Sequence, residues 1–434
     1  MSSKVDLVNI NQEKERELKP KLRFPEFRNA GEWEEKKLGD VAVFFKGKGL
    51  PKSAITPNAK NPCIHYGELF TEYPEVIDTI KSRTNLEGDY FLSTANDVLM
   101  PTSDVTPNGL AKSCCIKLSE VILGGDILVI QTNKLAISGE FLARYIRYLE
   151  KKVLQLVSGS TVFHLYASSI NKLALSFPSR PEQQEIADCL SSLDDRITAE
   201  TQKLDTLKAH KKGLMQQLFP TEGETLPKLR FLEFRDAGEW EELRLSKLTT
   251  KISDGIHATP IYDENGEYAF INGNNLKNGK IIIDDKTKRI NSSEFNKYKK
   301  PLDYNSILMS INGTIGSLAF FMNEQIILGK SVCFINIDSK FANNFFIYNL
   351  LQTEKVKHIF ISELTGSTIK NLSLVAIKNL ELRIPDLLEQ QKIADCLSSL
   401  DELIAAQTQK IDTLKVHKKG LMQQLFPALD EVIG

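Results

Sequence analysis

The chain has 434 residues, of which 41% are hydrophobic and 26% are charged, and this composition is usual for a globular protein of two to three domains. A formal net charge of −1 gives no global basic signature and counts mildly against DNA binding. The six cysteines form no Cys-x-x-Cys pair and no apolar run is long enough to span a membrane, which excludes a disulfide framework and favours a reduced, cytoplasmic protein.

A repeat at a constant offset organises the chain. After a polar leader over residues 1–19, which we expect to be mobile, the segment PKLRFPEFRNAGEWEEKKL begins at Pro20 and returns at Pro227 as PKLRFLEFRDAGEWEELRL. A Gly-Ser-Thr segment and a long segment rich in leucine and charged residues are repeated as well. All three pairs are 207 residues apart (227 − 20, 366 − 159 and 388 − 181), so the chain is a duplicated object.

Two bodies of equal length, residues 39–158 and 246–365, lie between the repeated segments and share little sequence. Each pattern mixes short buried strands with turns and finishes in a helix whose apolar residues recur at helical spacing. The predicted strands are 98–100 and 126–130 in the first body and 268–271, 281–283 and 306–310 in the second, and the closing helices are 139–157 and 341–360. The helix residues predicted to face the core are Phe141, Tyr145, Leu149, Phe345, Tyr348 and Leu351.

The long repeated segment predicts a helix over 181–220 and another over 388–427, and about four in five positions of the two copies are identical. A proline ends each of the two helices. The apolar residues of this segment alternate steps of four and three, which is the heptad seam of a coiled coil. The seam residues are Ile186, Leu190, Leu193, Ile197, Leu204, Leu207 and Leu214 in the first copy and Ile393, Leu397, Leu400, Ile404, Ile411, Leu414 and Leu421 in the second.

Polar residues interrupt the seam at Glu200 and Lys211, and at Gln407 and Lys418. The lysines either lay their stems over the seam and keep their heads in water, or act with Glu200 and Gln407 to set the register or to mark where another subunit packs. The economical partner of each helix is the other copy. A two-helix coil of about 50 Å, at 1.5 Å per residue, suits a spacer between two bodies.

These patterns predict an α+β protein in which two mixed α/β domains are separated by a pair of long antiparallel coiled-coil helices, related by a pseudo-twofold internal repeat. The predicted boundaries are a leader at 1–19, a first domain at 20–180, a first long helix at 181–220, a second domain at 221–387, a second long helix at 388–427 and a tail at 428–434.

The motifs of common catalytic classes are absent from the sequence: it has no phosphate-binding loop, no dinucleotide-binding glycine pattern, no complete adenine methyltransferase signature and no metal-ligand spacing among its six histidines. Polar loops punctuated by glycine remain, and their amide and basic side chains can pair with base edges and phosphates, although Asn-Gly pairs are also common turn formers. The candidate DNA-binding residues in these loops are Lys46, Lys48, Lys52, His65, Tyr66, Thr102, His257, Thr259, Asn272, Asn274, Asn275, Asn312 and Thr314.

The two Gly-Ser-Thr segments add four further candidates, Ser160, Thr161, Ser367 and Thr368. Because these polar segments recur in both halves, they either grip a phosphate in each half or cap the structure that follows. The repeated segments are nearly identical whereas the two bodies differ, which suggests that each body recognises a different target. No catalytic residue and no metal ligand is predicted.

With both halves laid out, the chain resembles the DNA specificity subunit of a Type I restriction–modification enzyme. The resemblance rests on RPEQQEIADCLSSLD and LLEQQKIADCLSSLD at the start of the long helices, KKGLMQQLFP at their ends, GEWEE at the start of each body and the two Gly-Ser-Thr segments, and it covers residues 20–427. One departure is Ser179-Arg180, where the second copy has Asp386-Leu387.

The resemblance implies that the bodies are target recognition domains, each reading one half of a bipartite, asymmetric site in double-stranded DNA, and that the helices set the gap. It also implies two methyltransferase subunits that use S-adenosylmethionine to methylate adenine N6 and two motor–nuclease subunits that use ATP and Mg, with no cofactor in this chain. Two alternatives are a scaffold that assembles partner subunits without reading DNA and an enzyme with a nucleophile in the variable bodies.

Overall fold

A computed structural model describes residues 18–364 and 370–427 of the protein. Most of the predicted leader, the tail at 428–434, and the candidates Ser367 and Thr368 lie outside the described residues. The chain forms two compact units: unit 1 runs to Glu200 and resumes at Lys410, and unit 2 is Thr201–Gln409. Each unit therefore contains one body, the first half of one long helix and the last part of the other.

Unit 1 is a mixed structure of short strands and helices. Its strands are β1 Glu34–Lys37, β2 Ala42–Lys46, β3 Asn61–Ile64, β4 Val76–Ile77, β5 Ser82–Thr84, β6 Phe91–Leu92, β7 Val98–Pro101, β8 Ser103–Asp104, β9 Cys114–Ile116, β10 Ile122–Leu123, β11 Ile127–Thr132, β12 Phe163–His164 and β13 Ala174–Phe177. Its helices are α1 Leu38–Val41, α2 Glu68–Thr71, α3 Gly139–Tyr148, α4 Glu150–Leu154, α5 Ala167–Ile170 and α6 Arg180–Leu218, the last of which continues into unit 2.

Two sheets carry the first body. One has the strand order β2-β11-β7-β9-β4 and the other β5-β3-β10-β6, while β1 pairs with β13 and β8 pairs with β12. The apolar strand β11 is buried on both faces, and α3 packs its residues Phe141 and Tyr145 into the same core as the start of α6 and Phe426 at the end of the second long helix. The body and both helix segments thus share one hydrophobic core, which is the usual source of domain stability.

Unit 2 repeats this plan with different strands. They are β14 Glu241–Arg244, β15 Thr249–Asp254, β16 Tyr268–Ile271, β17 Leu276–Lys277, β18 Lys280–Ile281, β19 Arg289–Ile290, β20 Ser306–Ser310, β21 Leu318–Phe320, β22 Ile326–Leu328, β23 Val332–Ile337 and β24 Glu381–Ile384. Its helices are α7 Ser292–Tyr298, α8 Asn344–Leu351, α9 Glu354–Ser362, α10 Leu374–Asn379 and α11 Leu387–Leu425, and α11 continues into unit 1. The strand orders are β15-β23-β20-β21, β19-β16-β22, β17-β18 and β14-β24.

The repeated sequence motifs hold each body to the start of its long helix. Arg23 forms two hydrogen bonds with the buried carboxylate of Glu182, at 2.6 and 2.7 Å, and also donates to the carbonyl oxygens that precede Trp33. Gln183 Oε1 accepts a hydrogen bond of 2.9 Å from the backbone N–H of Ser138, and Ser138 lies at the N-terminus of α3. Unit 2 repeats the first contact with Arg230 and Glu389 and the second with Gln390 and Asn343. The arginine of the repeated PKLRF segment and the Glu-Gln-Gln sequence at the start of each long helix are therefore structural in both copies.

The long helices run antiparallel within each unit. In unit 1, Lys410 lies 2.7 Å from Glu200, Lys418 lies 2.5 Å from Asp194, and the end of α11 reaches the core beside Leu190, so residue numbers rise on one helix as they fall on the other. The matching pair in unit 2 joins Lys211 and Asp401 at 2.6 Å. The sums 194 + 418 and 401 + 211 are equal, so both units have the same register.

This register corrects one of the two interpretations of the seam lysines. The side chains of Lys211 and Lys418 are only 14% and 13% exposed, and each ammonium group pairs with a carboxylate of the facing helix instead of extending into water. Glu200 and Gln407 are buried as well. The predicted seam residues are all buried or half-buried, as a helix pair requires.

Other sequence predictions need correction in the bodies. The closing helices are each broken into two, α3 with α4 and α8 with α9. Phe345 is 42% exposed, although the other five residues predicted to face the core are buried. The predicted strand 281–283 ends at Ile281, and Ile282 and Ile283 lie on the surface because the segment leaves the sheet there. None of the described helices combines the length and apolar character that crossing a bilayer requires.

Candidate nucleic-acid interface

Unit 1 has a polar cavity of about 430 Å³ beside the short strand pair β8 and β12. Lys46 at the end of β2 and Asp126 before β11 lie on one wall, with Lys46 Nζ 3.0 Å from Asp126 Oδ1. Thr102 Oγ1 donates to the same carboxylate oxygen at 3.4 Å. This wall therefore presents a cation, a carboxylate and a hydroxyl together, and the lysine side chain is 63% exposed.

The opposite wall of this cavity comes from the segment that follows the Gly-Ser-Thr motif. Ser103 Oγ and His164 Nδ1 lie 3.1 Å apart across the strand pair. The ring of Tyr166 stacks on that of His164, with 5.9 Å between centroids, and Tyr166 is 54% exposed. An exposed tyrosine beside a basic and a hydroxyl side chain offers both stacking and hydrogen bonding to a nucleic acid.

The first Gly-Ser-Thr motif forms a tight loop that returns the chain into this wall. Ser158 and His164 exchange backbone hydrogen bonds of 3.0 and 2.7 Å, and residues 159–162 form the tip between them. Gly159 has φ +122°, and a Cβ at this position would lie 2.1 Å from the carbonyl oxygen of Val162, so only glycine fits. Ser160 and Thr161 are exposed at the tip, where their hydroxyls can reach a ligand.

Unit 2 has a cavity of about 330 Å³ at the equivalent place. Asn312 and Asn371 form the bridge that matches Ser103 and His164, and 371 − 164 gives the repeat offset of 207. Asp254 and His257 at the end of β15 take the place of the end of β2, and His257 Nε2 lies 2.7 Å from Asp254 Oδ2. Lys330 also lines this cavity. One backbone arrangement thus carries two different sets of polar groups.

A second polar cavity in unit 2, of about 450 Å³, gathers the predicted asparagine loop. Asn275 Oδ1 accepts from the backbone N–H of Asn272, and Asn275 Nδ2 donates to Ile282 O, so Asn275 shapes its own loop. Asn272 Oδ1 accepts from Ser331 Oγ at 3.0 Å. Asn274 is exposed and lines the cavity with Thr314. The cavity is also lined by three lysines, Lys277, Lys286 and Lys288.

The remaining candidates lie elsewhere on the units. Lys48 is exposed and pairs with Asp89 at 2.6 Å. Lys52 is exposed at the start of a short 3-10 helix, and Thr259 is exposed on a loop. His65 accepts a hydrogen bond from the backbone N–H of Gly67, and its ring packs against Tyr66 with 4.6 Å between centroids. These two rings therefore shape the turn before α2.

The sequence prediction missed His164, Tyr166, Lys330 and Asn371, all of which line the equivalent cavities. The sequence held a signal for two of them. His164 and Asn371 are polar residues at equivalent positions after the two Gly-Ser-Thr segments. The four lie far in sequence from the residues that they face. Within the two described stretches, no group of three or more His, Cys, Asp or Glu side chains is placed to hold a metal ion.

The family model and the related proteins that match this chain point to the same family. The model of the "Type I restriction modification DNA specificity domain" matches residues 30–209 and again residues 237–416. The Type I restriction enzyme MjaVIII specificity subunit of Methanocaldococcus jannaschii is 23% identical over 423 residues, which cover 93% of each chain. The MjaIX specificity subunit of the same organism is 28% identical over 302 residues, covering 65% of this chain and 68% of that relative.

Solved structures show the same fold. The S subunit of a Type-I restriction-modification system from M. genitalium superposes with a TM-score of 0.58 at 16% identity, covering 94% of this chain and 99% of that one. A chain from a study of complex assembly and conformational transition of the type I R-M system gives a TM-score of 0.53 at 16% identity, with 91% and 97% covered. With two family domains over most of its length, the chain belongs to the Type I restriction–modification DNA specificity subunits.

Proposed function

We propose that this chain reads a bipartite, asymmetric site in double-stranded DNA, with one body for each half of the site. The observation that carries the proposal is the pair of equivalent cavities, which share a backbone arrangement but present different polar groups. Lysine with tyrosine and histidine in unit 1, and amides with histidine and lysine in unit 2, would select different base edges. Matching positions with unlike chemistry are what an asymmetric site requires.

The proposal assigns no catalysis to this chain. Two methyltransferase subunits would use S-adenosylmethionine to methylate adenine N6, and two motor–nuclease subunits would use ATP and Mg to cleave DNA. The near-neutral charge of the chain is compatible with this division, because partner subunits can supply part of the contact with phosphates. The MjaVIII relative, which is the specificity subunit of a Type I restriction enzyme, supports the assignment of this chain to the same kind of complex.

Exchange of a single body tests the proposal. Residues 39–158 are replaced by the corresponding body of another specificity subunit, and modified adenines are mapped in cells that express the chain with its methyltransferase. We expect one half of the site to change and the other half to stay. A genome without modified adenine, despite an assembled complex, would favour a scaffold that does not read DNA, and a change in both halves would contradict the assignment of one body to each half.

A further inference from the structure

Unit 2 contains a cavity of about 1070 Å³ that shares no lining residue with the polar cavities described above. It lies between the last turns of α6, the connector that follows Pro220, and α9. The half-buried side chains of Met215 and Ile359 contribute an apolar floor, and the buried Phe219 lies beneath it. The cavity therefore combines apolar surface with an opening to solvent, and a ligand that fills it must offer apolar groups.

The rim of this cavity, called the groove from here on, is strongly basic. Only two carboxylates, Glu222 and Glu354, line it. The cations are Lys208, Lys211, Lys212, Lys228, Lys355 and Lys357. Within the part of the chain that the structure describes, Lys211 pairs with Asp401 and Lys357 with Glu354, whereas the other four lysines have no carboxylate within 4.0 Å. This unbalanced positive charge favours an anionic partner.

In unit 1 a tyrosine side chain fills the place that corresponds to this groove. The N-cap residues Ser138 and Asn343 correspond, since each donates to the repeated glutamine, and their offset of 205 pairs Tyr148 with Thr353. The ring of Tyr148 lies 5.2 Å from that of Phe426 and its hydroxyl donates to Pro427 O at 3.4 Å. The matching Phe219 is buried against Trp240 and Phe346, but Thr353 has no ring to occupy the place above it that Tyr148 takes in unit 1. One small residue in place of tyrosine thus opens the groove in unit 2.

We propose that this groove docks one acidic segment of a protein partner, a segment that also carries apolar side chains, and that each chain binds a single copy. Carboxylates of the segment pair with the lysine rim while its apolar side chains cover Met215 and Ile359. A phosphate backbone would match the charge but leave the apolar floor exposed to water. Because Tyr148 fills the corresponding place in unit 1, the docking site distinguishes the two halves of a nearly symmetric frame.

Peptide selection on the full-length chain tests the proposal. A library of random short peptides is selected for binding to the protein and counter-selected against the Thr353→Tyr variant, and one enriched peptide is synthesised with a fluorophore for anisotropy. We expect enrichment of Asp and Glu interspersed with Leu, Ile or Phe. Thr353→Tyr and the double change Lys212→Glu, Lys355→Glu should each weaken binding by about tenfold or more.

Two matched variants control for folding and for general charge. Thr353→Ser keeps both the N-cap oxygen and the open groove, so it should bind the peptide as the parent does. Lys419→Glu alters the residue of unit 1 that matches Lys212 and should also leave binding unchanged. The proposal is overturned if the enriched peptides are not acidic, if Lys419→Glu weakens binding as much as the changes in unit 2, or if the groove variants weaken only binding of a duplex DNA of random sequence.

Discussion

Lys211 and Lys418 occupy the same position in the two copies of the repeat but differ in their surroundings. Lys211 faces one carboxylate, Asp401, whose side chain is 47% exposed. Lys418 lies between two carboxylates, Asp194 and Glu75, which are 26% and 20% exposed. Arg144 also reaches Asp194, at 2.6 Å, so unit 1 contains a largely buried ionic cluster where unit 2 has a single pair.

This difference predicts unequal costs for one substitution. Lys418→Met removes the cation between two partly buried carboxylates, which keep Arg144 and Arg147 as partners, and should destabilise unit 1 by about 1.5–3 kcal/mol. Lys211→Met, its matched control, loses a pair with a half-exposed partner and should cost about 1 kcal/mol or less. Hydrogen exchange of peptides from the two units measures each loss separately. Equal losses in the two units would contradict the assignment of the cluster.

Glu75 in this cluster predicts a pH dependence. Burial alone would raise its pKa, but Arg147 and Lys418 lower the pKa to about 2. The stability that the carboxylate contributes is therefore complete above its ordinary pKa of 4.5 and is lost as the pH falls through 4.5 towards 2. A lowering of the pKa from 4.5 to about 2 corresponds to about 3 kcal/mol.

Urea unfolding at about pH 6 and about pH 3 checks this expectation, with the free energy of unfolding as the readout. Glu75→Gln should lower the stability at the higher pH and lose less of it on acidification than the parent protein. Glu72→Gln, which alters an exposed pair with Lys81, serves as the control and should follow the parent. A Glu75→Gln variant with the parent's pH profile would show that the carboxylate is not held by these cations.

At the scale of single elements, the loop at residues 159–162 sets the position of the cavity wall in unit 1. Gly159→Ala places a Cβ against Val162 O at a backbone φ of +122°, so the loop must rearrange and displace His164. We expect methylation mapping to show weakened selection in one half of the recognised site only. Gly31→Ala, at a glycine with nothing within 4 Å of the added Cβ, should change neither half. Loss of both halves would contradict the assignment of this loop to one body.

The elements that sequence reasoning predicted well are those with long periodic patterns. The two helices expected at 181–220 and 388–427 span Arg180–Leu218 and Leu387–Leu425, because a heptad seam bounded by proline leaves little freedom. The bodies were harder, since many of their strands have only two or three residues and show no periodicity. Phe345 fits a helical pattern, yet its ring is exposed and packs on Phe320 at 4.5 Å.

The candidate interface depends on the arrangement of the whole molecule, and this limits what its sequence predicts. Lys46 and Thr102 were predicted separately and line one cavity, but Asp126 and Tyr166 become their neighbours only through the order of strands in the sheet. The internal repeat is the exception. It carries positional information across the whole chain, so that comparison at the offset of 207 pairs His164 with Asn371 without any structure.

The equal register of the two units also makes a prediction for the recognised DNA. Duplication of the heptad Leu204–His210 together with its counterpart Ile411–His417 adds seven residues to each long helix while preserving the antiparallel pairing on both sides. At 1.5 Å per residue the helices lengthen by about 10 Å, which is about three base pairs of B-DNA. Under the proposed function, methylation mapping should find both halves of the site unchanged and the gap between them longer by about three base pairs.

Insertion in only one helix provides the control for this experiment. It displaces Lys211 from Asp401 or Lys418 from Asp194, because the facing helix keeps its length, so it should reduce modification without creating a longer site. The paired insertion instead retains the Lys211–Asp401 and Lys418–Asp194 contacts and the seam beyond them, and it separates Lys410 from Glu200. If the paired insertion keeps modification at the original gap, the helices do not set the spacing. A gap that grows with each added pair of heptads would assign the spacing to helix length rather than to either body.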